Sequence, residues 1–425
     1  MSYRRHAEVK PANAPWIEEI PAHWDERPFY AVAKERRTKN IGMKEDNLLS
    51  LSYGNIVRKD INTPNGLLPE SFETYQIVEP DDVVFRLTDL QNDKRSLRSA
   101  ICPERGIITS AYLAVRSEGV LPGFMNYLMR AYDVQKVFYS MGGGMRQSLG
   151  FEDLRRMSVV APDRDEQAAI VALLDRETGV IDGLIEKKTR FIALLNEKEK
   201  AAISRLVRRG LDRQAPTIDS RVDWRGLVPA HWVRGRMKDH FRQEKRQGYK
   251  TLTVLSVYRE FGVIEKSSRD DNINKTPEDL TKYQLVNPND LVINKMKAWQ
   301  GSMGIAQMRG ITSPDYVVMR PIGEHDPRYM HHYLRAQPMP WVYRLISNGI
   351  RTDQWRMEPE EFLGLPVFMP PIEEQRRIAD RIDVELERIR GLITLTERSI
   401  DLLREKRSAL ITAAVTGKID VRAAA

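Results

Sequence analysis

The sequence predicts a mixed α/β protein built as an internal repeat: two compact α/β domains, each followed by a long helix, the helices pairing antiparallel as an intramolecular two-helix coiled coil. Three observations carry this. Segment pairs recur in the same order at a separation of about 208 residues, the texture changes after Pro162 and Pro371, and apolar residues return at heptad spacing beyond both prolines.

The repeat comes first because it fixes the architecture. WIEEIPAHW at 16–24 returns as WRGLVPAHW at 224–232, and YQIVEPDDVV at 75–84 returns as YQLVNPNDLV at 283–292. GIITSAY at 106–112 matches GITSPDY at 310–316 with the offset slipped to 204, so insertions lie in the loops between. DRDEQAAIVALLD at 163–175 and IEEQRRIADRID at 372–383 restore the offset.

Within each half the elements follow in order. Residues 1–162 and 214–369 mix short β-branched and aromatic runs with Gly, Pro and Asn breaks, including VVF before Arg86, LVI before Asn294 and YVVM before Arg320. These read as the two mixed α/β domains. Residues 163–213, and 370–425 with its tail, are rich in Glu, Lys, Arg, Leu and Ile and read as helices. Alternating steps of four and three from Ile170 reach Leu174, Glu177, Ile181, Leu184, Lys188, Phe191 and Leu195; from Ile378 they reach Ile382, Glu385, Ile389, Leu392, Thr396, Ser399 and Leu403. Glu177 and Glu385 interrupt the two seams at equivalent places, either fixing register or lying at a solvated edge. Chain order then makes the helices antiparallel, spanning roughly 65 Å at 1.5 Å per residue. The expectation is a pseudo-twofold dumbbell whose N- and C-termini lie close together.

Composition limits the function. The 425 residues carry 67 Lys+Arg against 59 Asp+Glu, a net charge of +8, of which the two helical segments supply only +1. The rest belongs to the domains and the tail, compatible with nucleic acid. No apolar run approaches a membrane span and no apolar segment follows the basic start, so a cytoplasmic, non-membrane protein is expected. Cys102 is the single cysteine, which excludes a disulfide framework and cysteine-cluster zinc sites and leaves an ordinary half-buried thiol.

Catalytic motifs are missing. The only GK, Gly417-Lys418, precedes Ile419 rather than Ser or Thr, and GGG at 142–144 lacks the strand-to-helix setting of a dinucleotide site. His23 and His231 recur in PAHW without partners for catalysis and read as packing or capping residues. His331 and His332 are adjacent, a poor metal arrangement. Pro162-Asp163 with Glu186 and Lys188 imitates a nuclease signature but falls on the heptad helix. SPDY at 313–316 lacks the second proline of the amino-methyltransferase tetrapeptide. No catalytic residue and no metal-ligand set is read from the sequence.

Taken together, two divergent α/β domains, each followed by a helix opening with Pro, Glu-Gln and Ile (Pro162, Glu166, Gln167, Ile170; Pro371, Glu374, Gln375, Ile378), resemble the specificity subunit of type I restriction-modification enzymes. PAHW at both domain starts, and GGGMRQSL at 142–149 with NGIRTDQW at 348–355, add to the resemblance, which covers essentially the whole chain. One departure is Ala168-Ala169 where the second half has Arg376-Arg377. The resemblance implies a non-catalytic subunit of a bacterial defence system. Each target recognition domain would read one half of a split sequence in double-stranded DNA, and the helices would space the domains and dock two modification (methyltransferase) subunits. Restriction (motor-nuclease) subunits would be optional further partners. The chain would hold no cofactor of its own; S-adenosylmethionine, ATP and magnesium would sit on those partners.

Base edges are read by Arg or Lys at guanine and Asn or Gln at adenine, while other basic groups fix register on phosphates. Loops after the strands supply Arg86, Thr88, Gln91, Asn92, Lys94 and Arg95 in the first half, and Asn294, Lys295, Lys297, Trp299 and Gln300 in the second. Arg146 and Arg351, in matched glycine-containing turns, are candidates for phosphate contacts. Plain solvation is the alternative for each. Two other readings of the chain are a coiled-coil scaffold with two protein-binding domains and a fragment of a fused methyltransferase-nuclease; the missing motifs argue against the second.

Overall fold

The computed structural model describes residues 4–62, 69, 71–90, 97–141, 148–269, 276–349 and 355–422. The fold is mixed α/β with two long helices, and the chain forms two compact units, Met1–Thr189 with Glu397–Ala425, and Arg190–Thr396. The elements used below are β1 (Ala33–Glu35), β2 (Val83–Phe85), β3 (Ser99–Ile101), β4 (Leu113–Ser117), α1 (Pro122–Val134) and α2 (Arg164–Arg209). From the second half come β5 (Phe241–Gln243), β6 (Leu291–Asn294), β7 (Met303–Ile305), β8 (Tyr316–Pro321), α3 (Pro327–Arg335), α4 (Met339–Leu345) and α5 (Ile372–Val415).

The first unit is centred on a four-stranded sheet of order β1-β4-β2-β3, and the second on β5-β8-β6-β7, the same order strand for strand. All pairs are antiparallel, with Val83 opposite Val115 in one and Leu291 opposite Met319 in the other. The runs VVF and LVI are apolar throughout because these strands are covered on both faces. Val83 and Phe85 enter the main core with Phe124 and Leu128 of α1, while Val84 packs with Ala114 and Ile108 in a second cluster. Leu291 and Ile293 likewise face Met330 and Leu334 of α3, and Val292 packs with Val318 and Leu255. Glycine is required at matched places: a Cβ on Gly106 would sit 2.6 Å from the Asn47 carbonyl oxygen, and one on Gly310 would sit 2.6 Å from that of Thr253.

The recurring motifs meet at one junction in each unit. In the first, Glu166 at the start of α2 holds His23 (Nε2 to Oε2, 2.8 Å) and accepts the Trp24 indole N–H at 3.2 Å. In the second, Glu374 holds His231 at 2.7 Å. The next residue, a glutamine, is buried in both. Gln167 accepts the Leu121 amide at 2.7 Å and donates to the Pro162 carbonyl at 2.8 Å. Gln375 accepts from Asp326 and donates to Pro370, each at 2.9 Å. The motif is thus a latch between domain and helix, closed in each unit by a histidine on the glutamate.

Each long helix closes on a glycine in the left-handed region, Gly210 (φ +73°) after α2 and Gly417 (φ +73°) after α5, the usual exit for a helix C-terminus. Gly210 lies against Glu374 and Trp232 in the second unit, and Gly417 against Pro21 in the first. Each junction therefore joins the start of one helix, the end of the other and a PAHW segment. The termini approach as expected: Asp420 N donates to the Arg4 carbonyl at 2.7 Å.

The seams differ from the heptad walk at every second step. On α2 the covered positions run Ile170, Leu174, Thr178, Ile181, Ile185, Lys188, Ile192 and Leu195, whereas Leu184 and Phe191 are 42% and 44% exposed. On α5 they run Ile378, Ile382, Leu386, Ile389, Ile393, Thr396 and Ile400, with Leu392 exposed. The shared anchors were read correctly, but the order of the four- and three-residue steps is reversed. Thr178 tolerates its buried place because its hydroxyl donates to the Leu174 carbonyl at 2.6 Å. Glu177 and Glu385 accordingly lie at the seam edge, paired with Arg176 and Arg381 on their own helices. Charged pairs flank the helices within each unit, Arg407 with Asp182 at 2.9 Å and Arg390 with Glu199 at 3.6 Å.

Candidate nucleic-acid interface

The loops that follow β2 and β6 leave the central sheets at equivalent places. In the first unit Arg86 extends the ladder by one bond, its amide donating to the Arg98 carbonyl at 2.8 Å. Arg86 and Thr88 are half-buried, and Arg86 has no ion-pair partner among the described residues. Gln91, Asn92, Lys94, Arg95 and Arg146 lie outside the described residues, as does Arg351 of the second half.

Sequence reasoning missed the residue that shapes this loop. Arg98 is fully buried, and its guanidinium donates to the carbonyls of Arg86 (3.4 Å), Thr88 (3.1 Å) and Asp89 (3.5 Å). Its own amide donates to the Asp133 carboxylate of α1 at 2.7 Å, and burial pushes the Asp133 carboxyl up from its ordinary range. A buried guanidinium that satisfies several carbonyls at once fixes the backbone of a segment too irregular for ladder bonds. An arginine beside a polar run gives no sign of such a role in the sequence.

The second unit builds its loop differently. Asn294 ends β6 and donates its amide to the Ser302 carbonyl at 3.0 Å; Lys295 offers its carbonyl to the Met357 amide at 3.1 Å. Ala298–Gln300 form a 3-10 turn closed by Gly301 at φ +87°. Lys297 is exposed at its head, while Asn294, Lys295, Trp299 and Gln300 are half-buried. Trp299 meets Trp355 edge-to-face at 5.8 Å between centroids, and the Arg344 guanidinium stands over Trp355 at 5.3 Å. The five candidates of this half share one loop, and the structure adds two side chains to it, Trp355 and, through Trp355, Arg344 of α4. The usable signal was tryptophan flanked by basic residues, a pairing that stacks and carries charge on one surface.

Nothing elsewhere in the described residues competes as a reaction centre. His331 and His332 are rigidly packed on α3, and burial holds them far down, to about 3 and about 4; His325 is held to about 4 for the same reason. Burial pushes the Cys102 thiol up to about 11, which makes it a packed side chain rather than a nucleophile. Among the described residues no helix is long and apolar enough to cross a membrane.

No family model and no curated protein matches the sequence. Solved structures do. A chain from a type I R-M system, solved in a study of its complex assembly and conformational transition, matches with a TM-score of 0.66 at 14% identity, over 94% of this chain and 99% of that one. The HsdS subunit from Thermoanaerobacter tengcongensis matches with a TM-score of 0.51 at 16% identity, over 94% and 98%. At such identities the likeness is one of fold, and it extends over almost the full length of both chains: the fold of this protein is that of the type I R-M system chain and the HsdS subunit it matches.

Proposed function

We propose that the protein is the sequence-specific DNA-recognition subunit of a type I restriction-modification complex, non-catalytic itself. The observation that carries this is the near full-length likeness in fold to a type I R-M system chain and an HsdS subunit, 94% of this chain against 98–99% of theirs. Each unit reads one half of a bipartite site with the loop after its central strand, and α2 and α5 pair as an antiparallel coiled coil that sets the spacing and docks two methyltransferase subunits. S-adenosylmethionine, ATP and magnesium act on the partner subunits, including restriction subunits where these join. The repeat supports the division of labour: the frames match strand for strand, while the loops after β2 and β6 share neither sequence nor means of support.

The test is selection from a random duplex pool with and without the modification subunit, followed by mapping of methylated sites. A split, asymmetric site is expected. Replacing Lys297 and Trp299 by alanine should relax base preference at one half and leave the other unchanged, because distant sites act nearly additively. Failure to enrich any sequence, S-adenosylmethionine turnover by the chain alone, or equal loss at both halves refutes the proposal.

A further inference from the structure

The junction of the first unit gathers more donor atoms than a latch requires. His23 Nε2 lies 2.8 Å from one oxygen of Glu166, and His6 Nε2 lies 3.9 Å from the other. The three ligand atoms fall within 4.8 Å of one another. His6 and Glu166 are 8% and 4% exposed. Asp420 stands 3.8 Å from His6 Nδ1, where a second carboxylate orients a metal-binding imidazole.

We propose that His6, His23 and Glu166 form a binding site for a divalent transition-metal ion of the zinc or cobalt class, which ties the N- and C-terminal segments to the start of α2. Two imidazole nitrogens and one carboxylate oxygen suit such borderline cations and not calcium or magnesium, which take six or more oxygens or keep their waters. Bonds of about 2.0–2.1 Å in tetrahedral geometry place ligand atoms about 3.4 Å apart, inside the 4.8 Å within which the three ligand atoms lie here. The ion replaces the hydrogen bond between His23 and Glu166, Nε2 turning its lone pair to the metal while the neutral ring keeps its proton on Nδ1. His6 Nε2, which lies 3.2 Å from the Ile419 carbonyl, turns its lone pair to the metal once the ring proton sits on Nδ1 facing Asp420.

Charge permits this. Glu166 and Asp420 supply two negative charges against Arg422, whose guanidinium lies 3.5 Å from His23 Nε2 and 3.4 Å from His6 Nδ1. Arg422 is exposed and bonded to Asp420, so it can turn outward without opening a buried contact. The second unit is a built-in control. It repeats the pair His231–Glu374 at 2.7 Å, but Gln214 occupies the position that corresponds to His6, and no other such group of three converges among the described residues.

The experiment is titration of the chelator-stripped full chain with zinc by calorimetry and with cobalt by visible absorption, each preparation checked for folding by circular dichroism. One equivalent per chain is expected, with a cobalt spectrum of low coordination number. His6→Gln, which writes the second half's residue into the first, should weaken binding at least tenfold, and His231→Ala should leave both affinity and stoichiometry unchanged. If His6→Gln does not fold, His23→Gln at the more exposed ligand takes its place with the same expectation. Absence of zinc and cobalt binding by the folded wild type overturns the proposal. So does undiminished affinity in the His6 or His23 variant, or loss of an equivalent in His231→Ala.

Discussion

Replacing Gln167 with leucine isolates the energetic worth of the latch. The side chain is 2% exposed and bridges two backbone groups, the Leu121 amide at the entry of α1 and the Pro162 carbonyl before α2. Leucine fills nearly the same volume but leaves both groups without this partner. An orphaned buried donor or acceptor costs about 1–3 kcal/mol, and the added apolar surface returns about 1 kcal/mol. With two such groups the balance is a destabilisation of about 1–5 kcal/mol. At about 2–4 °C per kcal/mol for a body of some 200 residues, a change in the middle of that range lowers one calorimetric transition by about 6–12 °C. Gln375→Leu removes the corresponding pair, to Asp326 and Pro370, and should lower the other transition. Ala168→Arg, which copies the exposed Arg376 of the second half, should move neither by more than about 0.5 kcal/mol. A shift below 0.5 kcal/mol for Gln167→Leu, or equal movement of both transitions in each variant, refutes the reasoning.

Acidification should weaken the second unit first. His325, His331 and His332 stay neutral in the fold down to about 4, about 3 and about 4 because burial disfavours the charged ring, whereas in the unfolded chain they titrate near 6.5. The unfolded state therefore binds more protons between those values. The stability these groups confer is complete above about pH 6.5 and falls toward pH 4, each adding up to about 1.4 kcal/mol per pH unit; urea melts at pH 7, 6 and 5 measure it, and a flat profile is the contrary result. Cys102 should resist iodoacetamide at pH 8 until the chain unfolds, since its thiol is buried and raised to about 11; rapid labelling of the native protein would contradict this. Inserting seven residues after Leu195 and after Leu403 keeps the seam and lengthens each helix by about 10 Å, so on the proposed function the spacer between half-sites should grow by up to about three base pairs. Methylation at the original spacing would show that the helices are not the ruler.

The frame was legible because it rests on patterns that recur. Repetition marked the two halves, proline marked where the long helices start, and the runs VVF and LVI marked strands. The Glu-Gln pair was legible as a motif but not as a mechanism: only the fold shows that Glu166 takes a histidine and a tryptophan from residues 143 and 142 positions earlier in the chain. The seam was half legible. Spacings of three and four alternate in either order, and the sequence offered an apolar residue at Leu184 and another at Ile185, at Phe191 and at Ile192, so the choice between them fell to packing. The loops were least legible. Arg98 and Arg86 are the same residue type twelve positions apart, yet Arg98 is spent on holding backbone carbonyls and Arg86 is left without an ion-pair partner among the described residues.

That last contrast bears on how, on the proposed function, such a protein can change what it reads. Residues that fix the frame here are buried and doubly bonded (Gln167, Glu166, Gln375) or leave no room for a Cβ (Gly310), so substitution there destabilises the unit whatever the loop contains. Residues at the tips carry little of that burden: Lys297 is exposed, and the Trp299–Trp355 contact is a half-buried pair outside the main core. The loops are also propped from below by unrelated means, a buried guanidinium in the first unit and an edge-to-face tryptophan pair with a left-handed glycine in the second. Two supports for one position in one fold mean that the sheet does not prescribe the loop. A new loop needs only to satisfy its own backbone and meet the ends of β2 and β3, or β6 and β7. On the proposed function, recognition residues can then be replaced as a set while the latch and the helices stay as they are, which is the separation of frame from reader that a two-half DNA reader built as a repeat requires.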